Sequence, residues 1–340
     1  MKKLVLFLML SLFISCSEDS KVETDIEDVK NFAVGSKYAQ NKDNVFTRLA
    51  TIWIDGIPTI LSETGSSIAN AIALYDNDIY VVGTESLEDG KRIIKVWKNN
   101  QSEIIAESST LVEATDIVVD EGDVHVVGNK HNNLINGSVA TLWKNGRSIP
   151  LCDAKSEANA VYVYNDDIYV AGWQEINGIC TAIVWKNGSE TVLYSGKDDL
   201  LSGATDIYVD ATGIYVTGYI RNSSESTAMF WKNGVATPLS NPEDYTEAKA
   251  LFVHNSDVYI CGFELDIHDY LPTGKIWKNG NLIDEIANAK PESIYIKEDE
   301  IFAGGIGLED AKIWKSNLNN LDFVEQYKFA SDEIKAIMVK

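Results

Sequence analysis

Seven tryptophans recur along this chain at near-constant spacing: Trp53, Trp97, Trp143, Trp185, Trp231, Trp277 and Trp314, at intervals of 44, 46, 42, 46, 46 and 37 residues. Periods of this length belong to propellers and solenoids, where each unit buries its apolar face only against its neighbours. Residues 228–240, AMFWKNGVATPLS, state the phrase most fully; ATIWIDG, IKVWKNN, ATLWKNG, AIVWKNG, GKIWKNG and AKIWKSN are its other copies. Across one whole unit, 203–240, four short β-rich runs (DIYV, GIYVTG, AMFW, VATPL) are divided by turn residues, with no helical period. The unit is predicted to be a four-stranded antiparallel sheet, strands a to d. Asn-Gly between c and d supplies the positive φ that a tight hairpin needs. The Trp supplies a broad apolar face between stacked sheets. A Trp present in every unit, at mid-unit, is read as packing rather than as a ligand platform.

The two ends favour a ring. The first copy, from about residue 29, supplies strands b, c and d without an a, whereas the last residues, SDEIKAIMVK, match strand a as in TEAKALFVH and then stop. Six complete units and this composite predict an all-β, seven-bladed propeller with four-stranded blades, closed by pairing the terminal strands so that no edge of the circle is exposed. Strand order then puts the tight a–b and c–d turns on one face, the bottom, and the variable b–c and d–a loops on the other, the top. Variable loops on a rigid scaffold are where binding usually resides.

The pattern covers nearly all of residues 29–340 and resembles the extracellular HAF repeat, which runs Ala-x-x-Ile, Gly-x-Val-x-Gly, Ala-x-x-Trp-x-Asn-Gly and a later Leu. Ala204, Ile207, Gly213, Val216, Gly218, Ala228, Trp231, Asn233, Gly234 and Leu239 fit it. It also resembles seven-bladed propeller lipoproteins. Neither resemblance implies a catalytic residue or a cofactor. The Trp-Asp of WD repeats, the regular Gly-Gly of kelch units and the Asp-box of sialidases are missing.

The chain opens MKKLVLFLMLSLFISCSEDS, with Lys2 and Lys3 ahead of an apolar run, Leu4 to Ile14, too short to span a bilayer. That is the pattern of a secretory signal. Its end at Cys16 resembles the lipobox of bacterial lipoproteins, which implies lipid attachment at Cys16; an ordinary cleaved signal with an incidental cysteine is the alternative. The following SED resembles the acidic tether of surface-displayed outer-membrane lipoproteins. The expected organisation is a signal over 1–15, a flexible acidic tether over 16–28 and the propeller over 29–340. The net charge of −22 excludes a nucleic-acid partner, which needs Lys and Arg in excess.

Chemistry is sparse in these residues. His125, His131, His254 and His268 stand in no metal or nucleophile motif, and the acidic turns lack calcium-loop spacing. Cys152, Cys180 and Cys261 read as buried unpaired thiols. Asp116 and Asp206, inside strand a, are expected to bond to backbone amides. Two groups are candidate ligand-binding residues at the top. Trp173, Tyr219 and Phe263 each follow a b-strand glycine, where an aromatic ring can stack on a sugar or a peptide side chain. Glu113, Glu157, Glu247 and Glu333 open strand a and are placed around the channel mouth, where they could hold a cation or a basic group. Lys144, Lys186, Lys232 and Lys278, each one residue after a repeat Trp, are expected to form a basic arc at the bottom, facing the membrane. The leading expectation is an envelope-exposed binding or scaffold module for glycan, peptide or protein, without metal or cofactor. A hydrolase- or lyase-type enzyme working at the top mouth is the alternative, but no converging acid/base set is visible to support it.

Overall fold

The computed structural model describes residues 30–40, 46–62, 65–194, 200–242, 244–266, 268–330 and 332–340; Cys16 and the segments expected to be signal and tether lie outside them. Among the described residues every helix or strand is a strand. The first blade joins β1 (Asn31–Gln40), β2 (Phe46–Ile54) and β3 (Ile57–Ile60) to the last strand of the chain. Next come β4 (Ser66–Tyr75), β5 (Asp78–Ser86), β6 (Arg92–Lys98) and β7 (Gln101–Ser108), then β8 (Val112–Asp120), β9 (Asp123–Asn132), β10 (Gly137–Lys144) and β11 (Arg147–Pro150). They are followed by β12 (Ser156–Tyr164), β13 (Asp167–Ile176), β14 (Ile179–Lys186) and β15 (Ser189–Val192). The fifth set is β16 (Leu201–Asp210), β17 (Gly213–Arg221), β18 (Ser226–Lys232) and β19 (Val235–Pro238); the sixth is β20 (Tyr245–His254), β21 (Asp257–Leu265), β22 (Pro272–Lys278) and β23 (Asn281–Ala287). The last is β24 (Lys290–Lys297), β25 (Glu300–Ile306), β26 (Asp310–Asn317) and β27 (Asn320–Ala330), after which β28 (Glu333–Val339) returns to pair antiparallel with β1.

This is a β-propeller of four-stranded antiparallel blades, but as hydrogen-bonded sheets five are four-stranded, not seven. The other eight strands, β16 to β23, are one sheet, because Ser226 in β18 pairs in parallel with Tyr245 in β20. The sequence could not announce that one bridging pair.

The repeated phrase has a physical account at each letter. Six of the seven repeat tryptophans are no more than 2% exposed, and Trp314 is 5% exposed. Each lies in an apolar cluster drawn from two consecutive strand sets, as where Trp277 meets Tyr215, Ala228 and Phe230 of the preceding set. The Asn takes a positive φ (Asn145 49°, Asn187 50°, Asn233 52°, Asn279 50°) and the Gly another, which closes a two-residue c–d hairpin. Its carboxamide also accepts from the start of strand b, as from Val124 N–H to Asn145 Oδ1 at 2.8 Å. The Lys does not form a free basic arc. Lys144, Lys186 and Lys278 each lie 2.7 Å from the aspartate that opens strand b (Asp123, Asp167, Asp257), and Lys232 sits over the Tyr215 ring.

The innermost strands share a second device. In all seven the register slips by one residue, so Asn70, Thr115, Asn159, Thr205, Lys249, Glu292 and Lys335 have no partner on strand b. Such a bulge turns its extra residue out of the ladder. It also presses a carbonyl against strand b: a Cβ on Gly128, Gly172, Gly218 or Gly262 would lie 1.9–2.0 Å from the carbonyl oxygen of Glu113, Glu157, Gly203 or Glu247, the residue just before the one opposite. Only glycine fits there.

Asp116 and Asp206 staple neighbouring sets together, as expected. Asp116 accepts from its neighbour Ile117 N–H and, across the gap, from Val161 N–H; Asp206 does the same with Ile207 and Leu251, all at 2.8 Å. Burial outweighs these donors and pushes the Asp116 carboxyl up to about 7 and that of Asp206 to about 6. The native state therefore holds these protons more tightly than an unfolded chain, whose aspartates titrate near 4. Their contribution to stability grows as pH falls from about 7 toward 4 and is lost as pH rises through about 7. Melting curves at about pH 5 and about pH 8 should thus show a smaller difference for Asp116→Asn than for the wild type. An equal difference would contradict the assignment.

Candidate functional site at the channel mouth

The seven bulge residues converge. Together with Glu113, Glu157, Trp173, Tyr219, Arg221 and Glu247 they line one cavity of about 520 Å³. All seven innermost strands contribute, so this is the top mouth of the central channel. Register sets the second tier: Glu157 lies opposite Trp173, Gly203 opposite Tyr219, and Glu247 opposite Phe263. Two of the expected glutamates, Glu157 and Glu247, are therefore cross-strand partners of expected aromatics, Trp173 and Phe263.

Trp173 Nε1 donates to Glu157 Oε2 at 3.0 Å, which fixes the indole by its edge. Tyr219 occupies the space that a side chain at Gly203 would take, its ring covered by the Arg221 guanidinium 4.6 Å from the centroid. Burial raises the Tyr219 pKa, so its hydroxyl keeps its proton. Phe263 departs from expectation as a stacking surface. It is 6% exposed and lies beneath the ammonium groups of Lys249 and Lys290, 5.6 and 5.0 Å from its centroid. Glu333 is likewise outside the cavity lining, tied to Lys335 at 2.5 Å and Arg48 at 3.5 Å.

The mouth is thus not a uniform carboxylate ring. On one side Glu247 pairs with Arg221 and Lys249, both at 3.4 Å, and Lys249 reaches on to Glu292 at 3.7 Å. On the other, around β4, β8, β12 and β16, the lining carries Glu113, Glu157 and uncharged amides and hydroxyls. Lys249 is nearly enclosed, yet Glu292 and Glu247 hold its pKa above the usual value against the effect of burial.

The Thr115 and Thr205 hydroxyls of this cavity are bonded to carbonyls and its Lys249 to two carboxylates, and among the described residues no three of His, Cys, Asp and Glu group to hold a metal. His125 is 3% exposed in β9, where burial lowers its pKa. Cys261 is buried as expected, but Cys152 and Cys180 are only half-buried. Sequence reasoning missed the bulge residues. Their signal was the second letter of ANAI, ATDI, ANAV, ATDI, AKAL, PESI and IKAI, the one place of the four that is polar in every copy.

No protein-family description matches the sequence. No curated protein matches it either. Solved propellers do match in shape. The β-propeller domain of the trilobed protease from Pyrococcus furiosus aligns with a TM-score of 0.55 at 12% identity, over 89% of this chain and 93% of that one. A putative 6-phosphogluconolactonase from Bacteroides uniformis gives 0.55 at 9% identity, over 92% and 100%. Pyrococcus horikoshii acylaminoacyl peptidase gives 0.53 at 14% identity over 88% of this chain, which spans only 51% of the peptidase. At these identities the likeness shows the propeller fold alone.

Proposed function

We propose that this protein is a non-catalytic binding module that takes its ligand at the channel mouth and is held at the cell envelope by a lipid on Cys16. The observation that carries the reading is the convergence of Trp173, Tyr219 and seven bulge residues on one cavity. Glycan, peptide and envelope protein are the ligand classes such a lining serves. In this reading the eight-stranded sheet counts as two blades, since a single pair joins its halves and an apolar cluster separates them like any other blade pair; the ring then has seven. β1 begins at the face of the tight turns, where Asp55 N–H donates to Asn31 O, so a tether from Cys16 would arrive there and the mouth would point away from the membrane.

An array of glycans and peptides probed with wild type, Trp173→Ala and Tyr219→Ala tests the site. Both variants should weaken binding about tenfold or more, with smaller losses of melting temperature than Trp231→Ala, whose ring is wholly buried. Unchanged binding with a melting loss equal to that of Trp231→Ala would make the two rings packing elements. The anchor is tested separately. Cys16→Ser should abolish incorporation of a fatty-acid analogue and release the protein from membranes; equal labelling of variant and wild type would refute it. A second reading, an enzyme of the hydrolase or lyase type at the same mouth, draws on the peptidase and the putative lactonase among the propellers of similar shape.

A further inference from the structure

We infer that the uncharged-and-acidic half of the channel mouth binds an organic cation, the ammonium group of a basic peptide. This rests on the reading of the mouth as a ligand site and names what that site recognises. On this half the protein has spent its threonine hydroxyls, its indole N–H and one N–H of each carboxamide on itself. The hydroxyls of Thr115 and Thr205 donate to the carbonyls of Ala158 and Ala248 in the next strand set, at 2.8 and 2.9 Å. Asn159 Nδ2 donates likewise to Ala204 O at 2.7 Å, and Asn70 Nδ2 to Ala114 O. The Trp173 indole N–H is committed to Glu157. What these residues leave toward the cavity is chiefly oxygen: the amide carbonyls, the hydroxyl lone pairs and two carboxylates. Among the described residues no cation pairs with Glu113 or Glu157, whereas Arg221, Lys249 and Lys335 opposite each have a carboxylate partner.

Charge and hydrogen bonding therefore ask for the same occupant. An anion would meet two uncompensated carboxylates. A neutral sugar would supply donors and leave both charges unmatched. An ammonium group brings three donors and a positive charge, and the Trp173 face, fixed by the bond to Glu157, adds attraction through its π-system. A bare divalent ion fits poorly, since calcium and magnesium require six or more converging oxygens and the described carboxylates do not group in that way. A cavity of about 520 Å³ suits a side chain and its flanking peptide better than a single ion.

The test is titration of the full-length chain in detergent with trilysine amide, a neutral trisaccharide and calcium chloride, followed by tryptophan fluorescence. Trilysine should bind saturably. Glu113→Gln with Glu157→Gln should weaken it about tenfold or more. Glu103→Gln with Glu190→Gln, which removes two exposed charges on β7 and β15, should change it by less than about twofold. Because Glu113 has no side-chain partner among the described residues, Glu113→Gln alone keeps the test open if the double variant folds poorly. If the trisaccharide binds and trilysine does not, or both glutamate pairs weaken trilysine equally, the inference falls and the ligand site stands. Calcium binding that Glu113→Gln abolishes would replace the organic cation by a metal. A probe that binds with indifference to Trp173→Ala and to both cavity glutamates would overturn the site and the inference together.

Discussion

Removing residues 331–340 should leave a chain that aggregates or unfolds without a cooperative transition. The segment is β28, and its Ile334, Ile337 and Val339 are 0%, 5% and 4% exposed. Ile334, Ile337 and Val339 pack with Phe302 and Ile313 of the last strand set, while Ala336 and Met338 lie against the cluster of Val81 and Trp97 on the other side. Burial of three such side chains stabilises by roughly 6 kcal/mol, a large share of the 5–15 kcal/mol by which a domain is usually stable. The deletion also strips β1 of its ladder partner and exposes a strand edge at the core of the ring. Urea unfolding followed by circular dichroism, with size-exclusion chromatography, reads the outcome. A soluble monomer with an unchanged midpoint would refute the joining of the two ends.

A single methyl group should have an effect nearly as large. In Gly172→Ala the new Cβ would lie 1.9 Å from the Glu157 carbonyl oxygen, an overlap that no side-chain rotation relieves because the obstacle is backbone. Either the bulge at Asn159 is lost or strand β13 moves away from β12. A cost of about 3 kcal/mol or more is expected, at the upper end of overpacking effects. Gly188 is the contrast. It is open to solvent and needs only a positive φ of 81°, so Gly188→Asn should cost about 1 kcal/mol or less. Equal losses at the two sites would show that the bulge does not force glycine at residue 172.

The two glycines show which parts of the architecture were legible beforehand. Hairpin chemistry is written as Trp-Lys-Asn-Gly at four of the seven repeats, so Asn187-Gly188 and Trp185 could be interpreted one unit at a time, and the match of TEAKALFVH to the chain end revealed β28. The bulge could not be found that way. Its slip of one residue turns Thr115 or Lys249 out of the ladder, and the recurring polar second letter does not by itself say that the alternation breaks there. The site was legible to the same limit. Trp173, Tyr219, Glu113, Glu157 and Glu247 meet at one cavity as strand polarity implied. Phe263 is covered by Lys249 and Lys290 from neighbouring innermost strands, and three of the four arc lysines are paired with aspartates from the adjoining b strands. Both outcomes depend on partners brought close only by the folded sheet.

The central claim is that ligand is taken at the channel mouth, and the tryptophans offer a direct test of it. Of the eight in the chain, seven pack between strand sets and Trp173 alone lines the cavity. Protein labelled with 5-fluorotryptophan should give a ¹⁹F resonance that Trp173→Phe removes. On titration with any ligand found by the array or with trilysine amide, that resonance should move saturably while the seven others hold still. A ligand that shifts a repeat tryptophan and leaves the Trp173 resonance unmoved would contradict the account.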